Sequence, residues 1–375
     1  MYRMSSGYAS MLANTFLAQG LDLAGLCQEA GLDVGFVSRP GAFCERSVIF
    51  RLWDLAAQAS DDLNIGLKAY GEFHPSSFQI VGYTMMSSSN LKRALERLVR
   101  FSPLIGTGFS LFLVKEQQHY RLASLDHQQN GSVKPRQYTD AALASLLGFC
   151  RWLAGGKSPQ PLGVQFTYPE PEDTSEHQRL FGCPLGFGAA YDSILFDGQE
   201  LLSPLSMANE ALATLHDSFA EAQLDLLSGY SIVGRIRALI TERLSQGQGQ
   251  GQCDMESIAA ALNISKRTLQ RGLEKDGTQF KDVLNDVRRQ MADFYLRHSH
   301  FNMKHVTCLL GFHDHSSFHK ACIRWFGMTP GQYRTDELSP VVEKVARVRS
   351  MNLIGLSRDH KVAGFANVYS ERIHR

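Results

Sequence analysis

The residues best suited to chemistry lie between positions 254 and 334, and that chemistry is hydrogen bonding to base edges rather than bond making. Lys266, Arg267, Gln270 and Arg271 fall on one side of a helical wheel whose other side carries Leu269 and Leu273. Arginine meets guanine O6 and N7 as a bidentate donor, glutamine pairs with adenine in the same way, and lysine serves guanine or phosphate. Downstream, His315, Ser316, His319 and Lys320 point away from Phe318, Cys322 and Phe326. Charge pattern alone leaves a solvated amphipathic helix open for either set.

The elements that must position these side chains are legible around them. Met255, Ile258, Ala259 and Leu262 form the apolar face of a short helix, Asn263 and Ile264 make a tight turn, and Ser265 stands where a helix cap belongs. This is the grammar of a helix-turn-helix. A long helix is predicted over 279–298, after which the grammar recurs: Val306, Leu309 and Leu310 line a face, Gly311 turns the chain, and a helix starts at His315. Two such units joined by a helix can enter successive major grooves about 34 Å apart. Ile232, Ile236, Leu239, Ile240 and Leu244 predict a helix ahead of the first unit. The run QGQGQGQ, Gln246–Gln252, reads as a flexible loop, and the domain boundary falls near Gly229.

The preceding part mixes helical segments (48–60, 91–100) with alternating or apolar runs (109–115, 119–124, 163–168) and is expected to be α+β. Leu205, Ala208, Leu212, Leu215, Phe219, Ala222 and Leu226 step alternately by three and four, which is a dimer seam or a helix packed on its own domain. Of these, Leu212, Leu215, Phe219 and Leu226 are the candidate dimerisation residues.

With 44% hydrophobic residues and a net charge of +1, the chain reads as globular, and a polyanion partner must be met by local placement of charge. Between Asp254 and Asp336 there are twelve Lys/Arg against nine acids, so bulk charge does not explain phosphate contact. Seven scattered cysteines without a C-x-x-C pair fit reduced thiols, and no signal peptide or long apolar span is read, so a soluble, cytoplasmic protein is expected. No catalytic constellation is present: G-x-S-x-G and H-E-x-x-H are missing, and Gly156-Lys157-Ser158 is followed by Pro159, which blocks the helix a phosphate loop requires. His313, His315 and His319 have a spacing that metals accept, but they read better as part of a DNA surface. No metal and no cofactor are expected. His74, Arg100 and Arg121 are each able to pair a ligand carboxylate, and each reads equally as a structural residue.

The stretch MESIAAALNISKRTLQR (Met255–Arg271) resembles the opening of the AraC/XylS DNA-binding domain. So do Gly277 with Phe280, Leu284 with Arg288, the run LGFHDHSSFHKA from Leu310, and WFGMTPGQYR from Trp325 to Arg334. The resemblance implies an all-α DNA-binding domain with two helix-turn-helix units joined by a long helix. Base-facing places fall on Arg267, Gln270 and Arg271 in the first reading helix, and on His315, Ser316 and Lys320 in the second. Cys322 and Ile323 stand where that family usually has an aromatic and a basic residue, and Thr307 where it has alanine, so the first unit is expected to dominate specificity. Upstream, GLCQEAGLD, WDLAAQASDDLNIGL, LKRALERLVR and FGCPLGF resemble the effector domain of a subgroup that includes regulators of ornithine use and quorum-linked virulence.

The resemblance thus implies an effector-binding and dimerisation domain (1–229), an AraC-type DNA-binding domain (230–336) and a C-terminal extension (337–375). Its partners are double-stranded promoter DNA, a second copy of the chain, a small-molecule effector and, for an activator, RNA polymerase, with no membrane. A small-molecule enzyme carrying a DNA-binding tail, and a regulator without an effector, are the rival readings.

Overall fold

The structure is a computed structural model that describes residues 2–127, 133–156, 159–227, 232–245, 253–298 and 301–335. The Gln246–Gln252 run, the boundary near Gly229 and the C-terminal extension lie outside these residues. Strand β1 (Arg3–Ser5) pairs antiparallel with β2 (Phe43–Glu45). Helices α1 (Ser6–Ala18), α2 (Leu23–Ala30), α3 (Arg46–Ser60), α4 (Ile80–Met86) and α5 (Leu91–Phe101) come before the main sheet. That sheet comprises β3 (Phe109–Glu116), β4 (His119–Asp126), β5 (Pro161–Gln165), β6 (Leu185–Gly186) and β7 (Asp192–Phe196), in the order β3-β4-β7-β5-β6. Its pairings are antiparallel except β5 with β6. Helix α6 (Arg136–Leu153) packs on one face, while α7 (Ser175–Phe181) and α8 (Gly198–Leu202) decorate the later strands.

The sequence of β3 explains why this sheet needs two covers. Leu111, Phe112, Leu113 and Val114 are consecutive and apolar, and successive side chains point to opposite faces, so both faces must be buried. Leu113, Leu122, Ile194 and Phe196 join the first core with α1, α3, α5 and α6. Phe112, Val114, Ala123 and Tyr191 join a second core built with the C-terminal helices. The register agrees: Phe112 sits opposite Ala123, and Leu113 opposite Leu122.

Helix α9 (Glu210–Leu226) runs to the end of this half. Leu205 and Ala208 precede it, and Leu205 is buried in the first core, so the seven-residue stripe does not lie on one helix as expected. The helix packs inward through Ala213, Ala220 and Leu224, which leaves Leu212, Leu215, Phe219 and Leu226 46%, 61%, 53% and 76% exposed. Small residues let α9 approach its neighbours closely, and its large apolar residues face outward.

After α10 (Ile232–Ser245) come α11 (Met255–Ala261), α12 (Lys266–Lys275), α13 (Phe280–His298), α14 (Met303–Leu309) and α15 (His315–Phe326). The α+β half followed by an all-α half with two short helix pairs flanking a long helix matches the expected architecture. All seven cysteines are free. Among the described residues no helix is long and apolar enough to cross a membrane.

A buried cation ties the start of α3 to the sheet. Arg46, 3% exposed, donates to the Gly108 carbonyl at 2.8 Å, the His127 carbonyl at 3.2 Å and the Asp126 carboxylate at 3.0 and 3.2 Å. Removing one partner of a buried pair leaves the other charge uncompensated. Arg46→Ala should therefore cost about 3 kcal/mol, read as a fall in the urea midpoint at unchanged slope. A midpoint equal to that of the unsubstituted protein would show that water replaces the guanidinium.

Candidate nucleic-acid interface

Four short polar side chains start the four helices of the two units. Asp254 accepts from the Ser257 N–H at 2.7 Å, Ser265 from Thr268 at 3.1 Å, Asn302 from His305 at 2.8 Å and Asp314 from Ser317 at 2.7 Å. Each satisfies one of the N–H groups a helix start leaves unpaired. These bonds also hold the Asp254 and Asp314 carboxyls below the ordinary carboxylate range, mainly through Ser257 and Ser317. The turns between paired helices match as well. Asn263 has φ of +53° and Gly311 of +69°, and the next amide returns to the preceding helix in both: Ile264 to Ala259 at 3.0 Å, Phe312 to Thr307 at 3.1 Å. Asparagine and glycine are the residues that visit this left-handed region readily.

In α12, Leu269 and Leu273 are buried against Ile236, Ile240 and Ile258, and Lys266, Arg267, Gln270 and Arg271 are all exposed. The four do not stand equally free. Lys266 pairs with Glu256 at 2.7 Å and Gln270 donates to Glu274 at 3.1 Å, whereas Arg267 and Arg271 have no hydrogen bond or ion pair among the described residues. Gly272 lets the helix lie against α10, since a Cβ there would come 2.8 Å from an Ile232 methyl.

In α15, Phe318 and Cys322 are buried and Phe326 is half-buried, while His315, Ser316 and Lys320 are exposed and His319 is half-buried. The Thr307 hydroxyl lies 3.2 Å from His315 Nδ1 and donates its proton to the Met303 carbonyl at 2.7 Å. The unusual threonine therefore touches His315, with its oxygen free to accept from the imidazole. Cys322 packs inside, and Ile323 is 46% exposed. No group of three or more His, Cys, Asp or Glu able to hold a metal ion occurs among the described residues. In the other half, Arg100 pairs with Glu221 at 2.5 Å and Arg121 with Glu116 at 2.7 Å, so neither stands open to a ligand carboxylate.

Sequence reasoning missed what Arg288 of α13 does. Its guanidinium donates to the carbonyls of Leu310 at 2.8 Å and Gly311 at 2.7 Å and stacks over Phe312 at 4.6 Å, which holds the second turn against the long helix. Burial pulls this guanidinium below its ordinary value. Leu284 with Arg288 entered only as part of the family resemblance; which carbonyls Arg288 reaches is a tertiary fact. Missed too was a node on α13, where Asp293 accepts from the Tyr191 and Tyr333 hydroxyls and from Arg297.

Because the second turn hangs on one guanidinium, Arg288→Ala should cost about 3 kcal/mol of stability, two charge-assisted hydrogen bonds being lost. Arg288→Lys should recover only part, since a point ammonium cannot serve both carbonyls and stack. Equal stability of the lysine variant and the unsubstituted protein would remove the fork from the account.

Both halves of the sequence match known families. Residues 258–336 match a helix-turn-helix domain family, and residues 20–205 match the family described as the arabinose-binding domain of AraC transcription regulator, N-terminal. The chain is 28% identical over 273 residues to the ornithine utilization regulator of Pseudomonas aeruginosa, covering 72% of this chain and 78% of that one. It is 28% identical over 203 residues to the HTH-type transcriptional regulator VirS of Mycobacterium tuberculosis, covering 53% and 57%. The crystal structure of the transcriptional regulator CdpR from P. aeruginosa aligns at TM-score 0.40 and 18% identity, over 84% of this chain and 96% of that one. With both its N-terminal and its helix-turn-helix parts matched, the chain belongs to the AraC/XylS family of DNA-binding transcription regulators.

Proposed function

We propose that this regulator reads promoter DNA chiefly through Arg267, Gln270 and Arg271 of α12, with His315, Ser316, His319 and Lys320 of α15 in the next major groove. The observation that carries the reading is the pair Arg267 and Arg271: two exposed guanidinium groups without partners among the described residues, on a helix whose opposite face buries Leu269 and Leu273. Lys266 and Gln270 exchange their intramolecular contacts for phosphate or base. The α12 set carries most of the specificity, because it holds Lys266, Arg267 and Arg271 where the α15 set holds Lys320 as its one Lys or Arg.

In this reading residues 1–229 bind a small effector and dimerise, residues 230–336 bind DNA, and the chain acts in the cytoplasm without turnover. Three observations support a dimer through α9: the outward Leu212, Leu215, Phe219 and Leu226, their helical spacing, and an inner face already satisfied by Ala213, Ala220 and Leu224. A two-fold pair presents four reading helices, matching an operator with repeated half-sites.

Genome-wide capture of bound DNA should yield a motif with half-sites about one helical turn apart. The Arg267→Ala, Gln270→Ala, Arg271→Ala variant should lose it while remaining folded. Arg271→Ala alone should cost about 1 to 3 kcal/mol at the cognate site; the same loss on random DNA would reduce Arg271 to a phosphate contact. For the dimer, Leu215→Glu with Phe219→Glu should give a monomer in sedimentation equilibrium. An unchanged dimer would move the seam elsewhere.

A further inference from the structure

Between the inner face of the sheet and α6 lies a cavity of about 110 Å³. Its sheet wall is formed by residues that the register puts on one face: Phe109 opposite Asp126, and Leu111 opposite Ser124. Its helix wall is formed by Tyr138, Ala142 and Leu146, which recur at the spacing of one helical face. Met4, Tyr8 and Leu98 close it.

The charges at its edge cancel. Lys134 pairs with Asp192 at 2.5 Å, Asp192 also accepts from the Thr139 hydroxyl at 3.3 Å and the Thr167 N–H at 2.7 Å, and Asp126 is held by Arg46. Among the described residues of the lining, Ser124 and Tyr8 each keep a hydroxyl without a hydrogen bond. An amino acid needs an unspent cation for its carboxylate and an unspent anion for its ammonium, and a sugar needs a donor or acceptor for each of several hydroxyls. This lining offers neither. An apolar cavity of roughly 150 Å³ binds benzene, so the size suits one ring or a short hydrocarbon.

The position is suited to control. Asp192 lines the cavity, and the adjacent Tyr191 faces the other way and donates to Asp293 on α13. Likewise Leu111 faces the cavity, and Phe112 packs 6.3 Å, ring to ring, from Phe294 on α13. One sheet thickness separates the cavity from the long helix that joins the two reading units.

The geometry points to this cavity as the effector site, taking a small, uncharged, mainly apolar molecule with a hydrogen-bonding group to meet the Ser124 or Tyr8 hydroxyl. The inference rests on the reading of residues 1–229 as the effector-binding half. The test uses the full chain and phenol as probe, with L-ornithine and L-arabinose as the charged and polyhydroxylated comparisons, followed by saturation-transfer NMR and melting temperature. Phenol should bind saturably and raise the melting temperature, while ornithine and arabinose should do neither. Ala142→Phe, which places a ring in the cavity, should weaken phenol at least tenfold, and the milder Ala142→Val should fall between. Absence of saturable phenol binding, or equal phenol affinity in both Ala142 variants and the unsubstituted chain, overturns the site. Saturable binding of ornithine or arabinose that Ala142→Phe abolishes overturns the ligand class. Sequence-specific DNA capture, scored in parallel, separates the two failures: a failed cavity with DNA capture intact leaves the regulator reading standing, and failed capture with phenol bound overturns that reading alone.

Discussion

Everything in this molecule depends on a sheet that cannot leave either face in water. Leu111 and Leu113 of β3 point one way, and Phe112 and Val114 point the other. One cover comes from the N-terminal helices. The other comes from α10 and α13, elements of the DNA-binding half. Burying a large apolar side chain is worth roughly 1.5–3 kcal/mol, so Phe112, Val114 and Tyr191 make the second layer a packed interface. The two functional halves are therefore two sides of one sheet.

Several polar groups at that interface are tied into one set. Asp293 gathers the hydroxyls of Tyr191 and Tyr333 and the guanidinium of Arg297, and Arg237 of α10 meets Asp286 of α13 at 2.6 Å. Tyr191 is the residue just before β7, Asp293 and Arg297 come from the long helix, and Tyr333 from the chain beyond α15. Displacing β7 relative to α13 would break this set together. A buried network of this kind favours discrete arrangements over continuous drift, which is what a regulator needs if a ligand on one side of the sheet is to alter DNA contact on the other.

The reading units show how acids are used in a domain that must meet a polyanion. Twelve Lys/Arg against nine acids is a small excess. Yet Asp254 and Asp314 are occupied as helix caps, Asp286 and Asp293 face Arg237 and Arg297, and Glu256 engages Lys266. The guanidinium groups of Arg267 and Arg271 have no partner among the described residues. Placement achieves what bulk composition does not.

Local rules made much of this legible in the sequence. Cap residues, turn residues and periodic leucines act within a few positions, so the first helix-turn-helix unit and the outward side of α12 follow from Asn263, Ser265, Leu269 and Leu273, and the second unit from Val306, Leu309, Leu310 and Gly311. The run from Phe109 to Lys115 was legible as a strand of an α+β half, and its burial on both faces was decided by the cores it joins. Three things depended on contacts between residues far apart in the chain, and only the tertiary structure decided them. Arg288 reaches the carbonyls of Leu310 and Gly311 because α13 passes beside that turn. The stripe on α9 faces outward because Ala213, Ala220 and Leu224 took the inner face, and Leu205 left it for the core. The cavity exists because Ser124 and Ala142, unremarkable in sequence, stand across a gap that the neighbouring side chains do not fill.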